Sequence, residues 1–241
     1  MRAIILAGGK GERLRPYTND RPKAMVEVLG IPILGYQMRW LWANGVQEAY
    51  ISCGYLHEVI EDYFGDGGRW GVRIRYVVED EPLGRGGGLK KAMQALEGDS
   101  GPVVAANGDV ITTADLRAMI AQHQQRGVLA TVLLTPFFSQ YGIVDVDEGD
   151  LVQGFREKPE LPYWINAGVY VLSREVEPLL PDRGDHEDTT FPLLAQQRRF
   201  AGFRSRAFWR GVDTVKDLSE VTKEMERRLF ESLTGTASDG G

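Results

Sequence analysis

An apolar stretch, Ala3 to Leu6, runs into Gly8-Gly9-Lys10-Gly11-Glu12-Arg13, and three cations, Arg13, Arg15 and Lys23, fall within eleven residues of one another. Glycines after a strand let backbone amides point at an anion, and their missing side chains allow it to come close. Pro22 restricts the chain just ahead of Lys23. The chain as a whole carries a net charge of −6. A local cluster of cations in an acidic protein is a means of holding phosphate. The loop is not a P-loop, because Gly-Lys-Ser/Thr is absent at the required spacing. It also lacks the third glycine of the dinucleotide fingerprint, and no acid suited to hydride transfer stands nearby, which disfavours a nicotinamide-dependent oxidoreductase. None of His57, His123 and His186 belongs to a motif. All three are expected on the surface or on helices.

These groups need a scaffold, and the chain supplies an alternating one. Ala3–Leu6, Glu48–Ser52, Val72–Val78 and Pro102–Ala106 read as strands. Helical spacing falls on 33–43, which ends at Asn44-Gly45, on 57–64, and on 88–96. Strands separated by helices of this length predict an α/β fold with a parallel, doubly wound sheet. Ligands in such sheets bind at the carboxyl ends of the strands. The glycine loop, the segment after Val78 and the segment after Ala106 all fall there.

The second half reads as strands at 130–134, 142–146, 151–155 and 165–172, with a hairpin tip at Glu148-Gly149. An amphipathic helix is expected over 215–229. No repeat or linker interrupts the chain, so a single domain is expected over 1–231, with a phosphate-binding half at about 1–110 and a flexible tail at 232–241. Hydrophobic residues make up 43% of the 241-residue sequence, enough for a core without staples. The single cysteine, Cys53, allows neither an intrachain disulfide nor a cysteine metal cluster and is expected to be a buried strand-end residue. The acidic balance argues against a nucleic-acid partner. No apolar run approaches the ~20 residues of a membrane span, and the opening strand does not resemble a leader, so a cytoplasmic protein without membrane contact is expected.

Leu6-Ala7-Gly8-Gly9-Lys10-Gly11-Glu12-Arg13-Leu14-Arg15, followed by Arg21-Pro22-Lys23, resembles the signature of the sugar-1-phosphate nucleotidyltransferases. That resemblance implies a Rossmann-like, GT-A-like mixed sheet, mainly parallel. It implies transfer of a nucleoside monophosphate from a nucleoside triphosphate to a sugar 1-phosphate, with release of pyrophosphate. Glu12 stands where threonine is usual, as it does in relatives that form UDP-MurNAc. By the resemblance Leu6, Ala7, Gly8, Gly9, Gly11, Glu12 and Arg13 surround the nucleotide. Arg13 contacts the leaving pyrophosphate, and Lys23 lies between the α-phosphate and the sugar phosphate.

The segment Glu79 to Leu89 is similar to the family's Glu-Pro-Leu-Gly-Thr-Ala-Gly stretch, with Arg85 at the threonine position. The resemblance makes Glu79 the base reader, with Pro82 and the backbone near Gly84 beside it. A carboxylate only accepts hydrogen bonds, and guanine offers two adjacent donors where uracil or thymine offers one. This leans towards GTP; the Gly-Arg-Gly-Gly-Gly stretch, similar to cytidylyl- and uridylyltransferases, leans the other way. Asn107-Gly108-Asp109 matches the segment that ends in a Mg²⁺-binding aspartate. The partner aspartate falls on Asp213, two residues later than in the commoner pattern. Two carboxylates with phosphate oxygens and water suit Mg²⁺. Arg13, Lys23 and Asp109 are then the catalytic set, and the phosphate nucleophile needs no general base.

Tyr141-Gly142, Glu157-Lys158-Pro159 and Asn166-Ala167-Gly168 resemble, in order, the family's sugar-binding elements, with Tyr141, Gly142, Glu157, Lys158, Asn166 and Gly168 as the contacts. The best-fitting acceptor is mannose 1-phosphate or a related hexose or heptose 1-phosphate. UTP-, CTP- or dTTP-dependent transfer, transfer to phosphocholine, and a silent regulatory homologue that binds sugar nucleotides remain as alternatives. The family also implies a chain able to form homo-oligomers.

Overall fold

The structure, a computed structural model, describes residues 1–98 and 101–234. Along the chain, β1 (Arg2–Leu6) enters the glycine loop, and β2 (Glu27–Val28) and β3 (Ile31–Pro32) pair ahead of α1 (Ile33–Ala43). Then come β4 (Glu48–Cys53), α2 (His57–Phe64), β5 (Arg73–Val78), α3 (Gly84–Gln94), β6 (Val103–Asn107), β7 (Val110–Thr112) and α4 (Leu116–Arg126). The second half holds β8 (Ala130–Phe138), β9 (Ile143–Val146), β10 (Val152–Arg156), β11 (Glu160–Leu172), α5 (Thr190–Gln196), β12 (Phe200–Arg204), β13 (Trp209–Gly211) and α6 (Val215–Thr234).

Seven strands form one sheet in the order β12-β8-β11-β6-β1-β4-β5. β1 pairs in parallel with β4 and β6, β4 with β5, and β12 with β8, whereas β11 runs antiparallel to both β6 and β8. The expected α/β sheet, mixed and mainly parallel, is the one observed. Both halves of the chain contribute strands to it.

The central strands are apolar on both faces because both faces are covered. Ala3 and Ile5 of β1 point into one core with Leu34, Met38 and Ile60, and Ile4 points into the other with Leu89, Met93 and Tyr170. Asp115 caps α4 by accepting from the Ala118 amide at 2.9 Å, and Gly127 closes it in the left-handed region. A third cluster packs Val212, Leu218 and Val221 against Leu14, Val26 and Ile33, so α6 is anchored beside the exit of the glycine loop.

Four expectations shift. α3 begins at Gly84 rather than at 88, because its glycines are demanded by a neighbouring loop. β8 and β11 run further than 130–134 and 165–172, since antiparallel pairing extends to Glu160↔Phe138. α6 continues to Thr234, so the first three residues of the expected tail are helical, and 235–241 lie outside the described residues. Among the histidines, His57 and His123 lie on helices as expected, and His186 is the one that departs. His123 lies on α4 but is buried, donating or accepting with Thr131 and Ser173, and His186 is fully buried in a loop. Cys53 is buried as expected, and burial pushes its thiol up to about 12. Among the described residues no helix is long and apolar enough to cross a membrane.

Candidate active site

One cavity of about 890 Å³ opens at the carboxyl ends of β1, β5 and β6. Its wall contains Leu6, Ala7, Gly8, Gly9, Gly11, Glu12, Arg13 and Lys23, then Glu79, Pro82 and Gly84, then Asn107, Gly108 and Asp109, and finally Asp213. Every residue assigned from the sequence to the nucleotide, the metal or catalysis therefore faces the same space.

The glycine loop leaves β1 through local hydrogen bonds. Ala7 N donates to Ser52 O at 2.7 Å and Gly108 N donates to Leu6 O at 2.9 Å. Thr18 Oγ1 donates to Gly11 O at 2.9 Å, and Gly11 sits at φ 67°, where a side chain would be strained. Among the described residues the amides of Gly8, Gly9 and Lys10 have no protein acceptor, which leaves them available to an anion.

Asp109 and Asp213 come from distant segments. β13 pairs antiparallel with β7, placing Gly211 opposite Val110, and Val212 N donates to Asp109 O at 3.0 Å. That register puts the two carboxylates together. Lys23 Nζ lies 2.5 Å from Asp109 Oδ2 and 2.5 Å from Asp213 Oδ1, and Arg13 Nη2 lies 2.8 Å from Asp213 Oδ1. Burial raises the Asp213 carboxyl, but the Lys23 hydrogen bond and the charges of Lys23, Arg13 and Arg85 outweigh it and hold the group below its ordinary value.

Asp109 and Asp213, whose carboxylates converge on the Lys23 ammonium, are the residues that would hold a divalent cation here. The donor set is oxygen only, as Mg²⁺ prefers. Among the described residues no three His, Cys, Asp or Glu side chains converge into a metal cage, so an ion held here takes its remaining ligands from substrate and water.

Glu79 closes the other end of the cavity. Its Oε1 accepts from Ser52 Oγ at 2.8 Å and its Oε2 from Leu83 N at 3.2 Å. Each oxygen keeps a lone pair for a further donor. Gly8 is close enough that an added Cβ would stand 3.4 Å from Glu79 Oε1, so the loop and the carboxylate share one wall.

The residues assigned to the sugar do not line this cavity. Gly142, just ahead of β9, and Glu157, just after β10, are brought together, and a Cβ on Gly142 would stand 3.1 Å from Glu157 Oε2. Tyr141 is 79% exposed and Lys158 is exposed with φ 44°. Asn166 and Gly168 lie on β11 behind the cavity floor, and a Cβ on Gly168 would stand 2.7 Å from Asn107 Nδ2. Asn166 Nδ2 donates to Tyr170 Oη and to Glu187 Oε1.

Sequence reasoning missed three supports. Gln37 of α1 donates from Nε2 to Asn107 O and Val110 O, at 2.6 and 2.9 Å, and so fixes the turn that carries Asp109. A glutamine four residues after Ile33 on an otherwise apolar helix face was the available signal. Ser52 orients Glu79. The loop 182–188 is the third. Gly86 N and Gly87 N donate to Gly184 O, and a Cβ on Gly87 would stand 2.5 Å from Asp182 O. Arg85 N and Nη2 donate to Asp185, at 2.9 and 2.8 Å, and Arg85 Nη2 lies 2.8 Å from Glu187 Oε2. The hydrogen bond to Asp185 raises Arg85, and the same bond lowers Asp185. Both residues face the cavity.

Residues 2–228 match the family model described as Nucleotidyl transferase. The chain belongs to that family, and it is an enzyme of the transferase class. A mannose-1-phosphate guanylyltransferase from Mycobacterium tuberculosis is 34% identical over 238 residues, covering 95% of this chain and 66% of that relative. The D-glycero-alpha-D-manno-heptose 1-phosphate guanylyltransferase of Aneurinibacillus thermoaerophilus is 34% identical over 235 residues, covering 95% of this chain and 100% of that relative. The crystal structure of HddC from Yersinia pseudotuberculosis complexed with GMP-PN superposes with a TM-score of 0.73 at 26% identity, covering 93% of this chain and 99% of that one.

Proposed function

We propose that this enzyme transfers GMP from GTP to a sugar 1-phosphate, with mannose 1-phosphate or a related hexose or heptose 1-phosphate as acceptor. The observation that carries the reading is the cavity itself. It holds an anion-ready glycine loop, the Lys23–Asp109–Asp213 cluster and the Glu79 carboxylate on one continuous wall. The relatives named as guanylyltransferases, and the GMP-PN complex of HddC, support guanine as the base.

Free amides at Gly8, Gly9 and Lys10, with the Arg13 guanidinium, bind the β- and γ-phosphates that leave as pyrophosphate. Glu79, held by Ser52, accepts from N1–H and the exocyclic amine of guanine. Lys23 offsets the charge that gathers between the α-phosphate and the incoming sugar phosphate. The attacking oxygen is already an anion, so the protein's task is alignment and charge stabilisation. Asp109 and Asp213 would hold Mg²⁺, which when bound offsets the repulsion between the two phosphates. Glu157, Lys158 and Asn166 are proposed to meet the sugar, with Tyr141, Gly142 and Gly168 shaping its approach. We locate the reaction in the cytoplasm, the compartment that holds nucleoside triphosphates.

The test is a matrix of the four ribonucleoside triphosphates and dTTP against a panel of sugar 1-phosphates with Mg²⁺, read as pyrophosphate release. Fastest release with GTP is expected. Faster release with UTP or CTP overturns the guanine assignment, and no release with any pair overturns the transfer reading.

A further inference from the structure

The loop 182–188 carries charges that the transfer reaction does not account for. Arg85, the second residue of α3, is gripped by two carboxylates on this loop, with Nη2 at 2.8 Å from Asp185 Oδ2 and 2.8 Å from Glu187 Oε2. Glu187 Oε1 also accepts from Asn166 Nδ2 at 3.2 Å and from Tyr170 Oη at 3.0 Å. Glu187 is thus tied at once to the helix that follows the base loop and to the strand that carries a residue assigned to the sugar. The grip is built into the backbone, because Gly84, Gly86 and Gly87 leave no room for a Cβ against residues 181–186. One guanidinium faces two carboxylates, so the latch carries a net charge of −1 (+1 − 2). Arg85 and Asp185 both face the cavity that holds Asp109 and Asp213.

We propose that the Arg85–Asp185–Glu187 latch selects the acceptor by charge, admitting sugars whose only anionic group is the 1-phosphate and repelling those with a second anionic group, such as a carboxylate. This rests on the transfer reading above and refines its substrate class. The reacting phosphate is drawn towards Lys23 and Arg13, and an acceptor held by Asn166 would sit beside Glu187, which accepts from Asn166 Nδ2 at 3.2 Å. An uncompensated negative charge a few ångströms from a second anion, in a partly enclosed cavity, weakens binding about tenfold or more. Asp185 and Glu187 act through charge and position; neither needs to touch the reacting atoms.

The experiment compares kcat/KM for a hexose 1-phosphate and for the matching uronic acid 1-phosphate in the wild type and in three variants. The signs differ by variant, which a merely structural role cannot reproduce. Glu187→Gln and Asp185→Asn neutralise one carboxylate and narrow the wild-type preference for the neutral sugar about tenfold. Arg85→Gln leaves both carboxylates unbalanced and widens it. In all three the KM for the nucleoside triphosphate stays within about threefold of wild type, against the larger change in the sugar ratio. A ratio that is unchanged, or that moves the same way in all three, overturns the latch. Calorimetric binding of the two sugar phosphates gives the same ratio without turnover. An inactive enzyme that still discriminates therefore counts against the transfer reading, while an active enzyme that does not discriminate counts against the latch. If Glu187→Gln or Asp185→Asn unfolds by circular dichroism the other stands in for it, and if Arg85→Gln unfolds Arg85→Met replaces it, so one variant of each charge sign retains the test.

Discussion

His186 makes the stability of the loop behind Arg85 depend on pH. It is fully buried, its ring packs edge-on against Tyr170 and Phe191, and among the described residues its ring nitrogens find no partner at hydrogen-bonding geometry, although Arg85 and the Asp185 carboxylate lie nearby. Burial, reinforced by the Arg85 charge, lowers it from 6.5 to about 4. The folded value lies below the unfolded one, so as pH falls the unfolded chain takes up the proton first. Stability from this group is full above 6.5 and drains away as pH falls through about 4. A shift of this size corresponds to about 3 kcal/mol over the whole window, of which about 2 kcal/mol is lost between about pH 7.5 and about pH 5. His186→Phe keeps the ring contacts and removes the titration, leaving no polar atom unpaired. Urea unfolding of wild type and variant across that range measures the difference directly. The wild type is expected to lose about 2 kcal/mol more than the variant by about pH 5. Equal losses in the two proteins would refute the assignment of this slope to His186.

Three further outcomes follow from the site. Lys23→Met leaves Asp109 and Asp213 facing each other without their ammonium and is expected to lower kcat about 100-fold or more, as measured by pyrophosphate release. Ser52→Ala removes the hydroxyl that fixes Glu79, so the KM for GTP should rise about fivefold while that for the sugar phosphate holds, as steady-state kinetics would show. Gly87→Ala drives a methyl against Asp182 O, at 2.5 Å in the present geometry, and should lower stability by about 2 kcal/mol in denaturant unfolding.

Much of the nucleotide half could be read from periodicity, because buried parallel strands and amphipathic helices write their burial into local sequence. β4, α1 and α2 fall within a residue of expectation for that reason. The glycine run at 84–88 misled, since helix propensity places glycines outside a helix. Here Gly84, Gly86 and Gly87 are required by the approach of residues 181–186, a contact about 100 residues away in sequence that no local pattern encodes, and Gly88 by Glu79 and Ser52. His186 was misplaced for the same reason: its burial depends on Tyr170 and Phe191, not on its neighbours in the chain. The motif residues of the first half that were singled out in the sequence come together on one cavity wall, and the residues that support them carried little signal. Lys23 stands out by type and by its place after the glycine loop and Asp109 by the family resemblance, and both face the cavity. Gln37, Ser52 and Glu187 act by holding other residues, and a polar side chain that serves this role looks like any other until the fold places it.

Nucleotidyl transfer itself is tested most directly by following the label from α-³²P GTP and, separately, γ-³²P GTP with mannose 1-phosphate and Mg²⁺. The proposed transfer, with Lys23 beside the α-phosphate, predicts that the α-label enters the sugar product and the γ-label leaves in pyrophosphate. Transfer of the γ-label to the sugar, or transfer of neither, would contradict it.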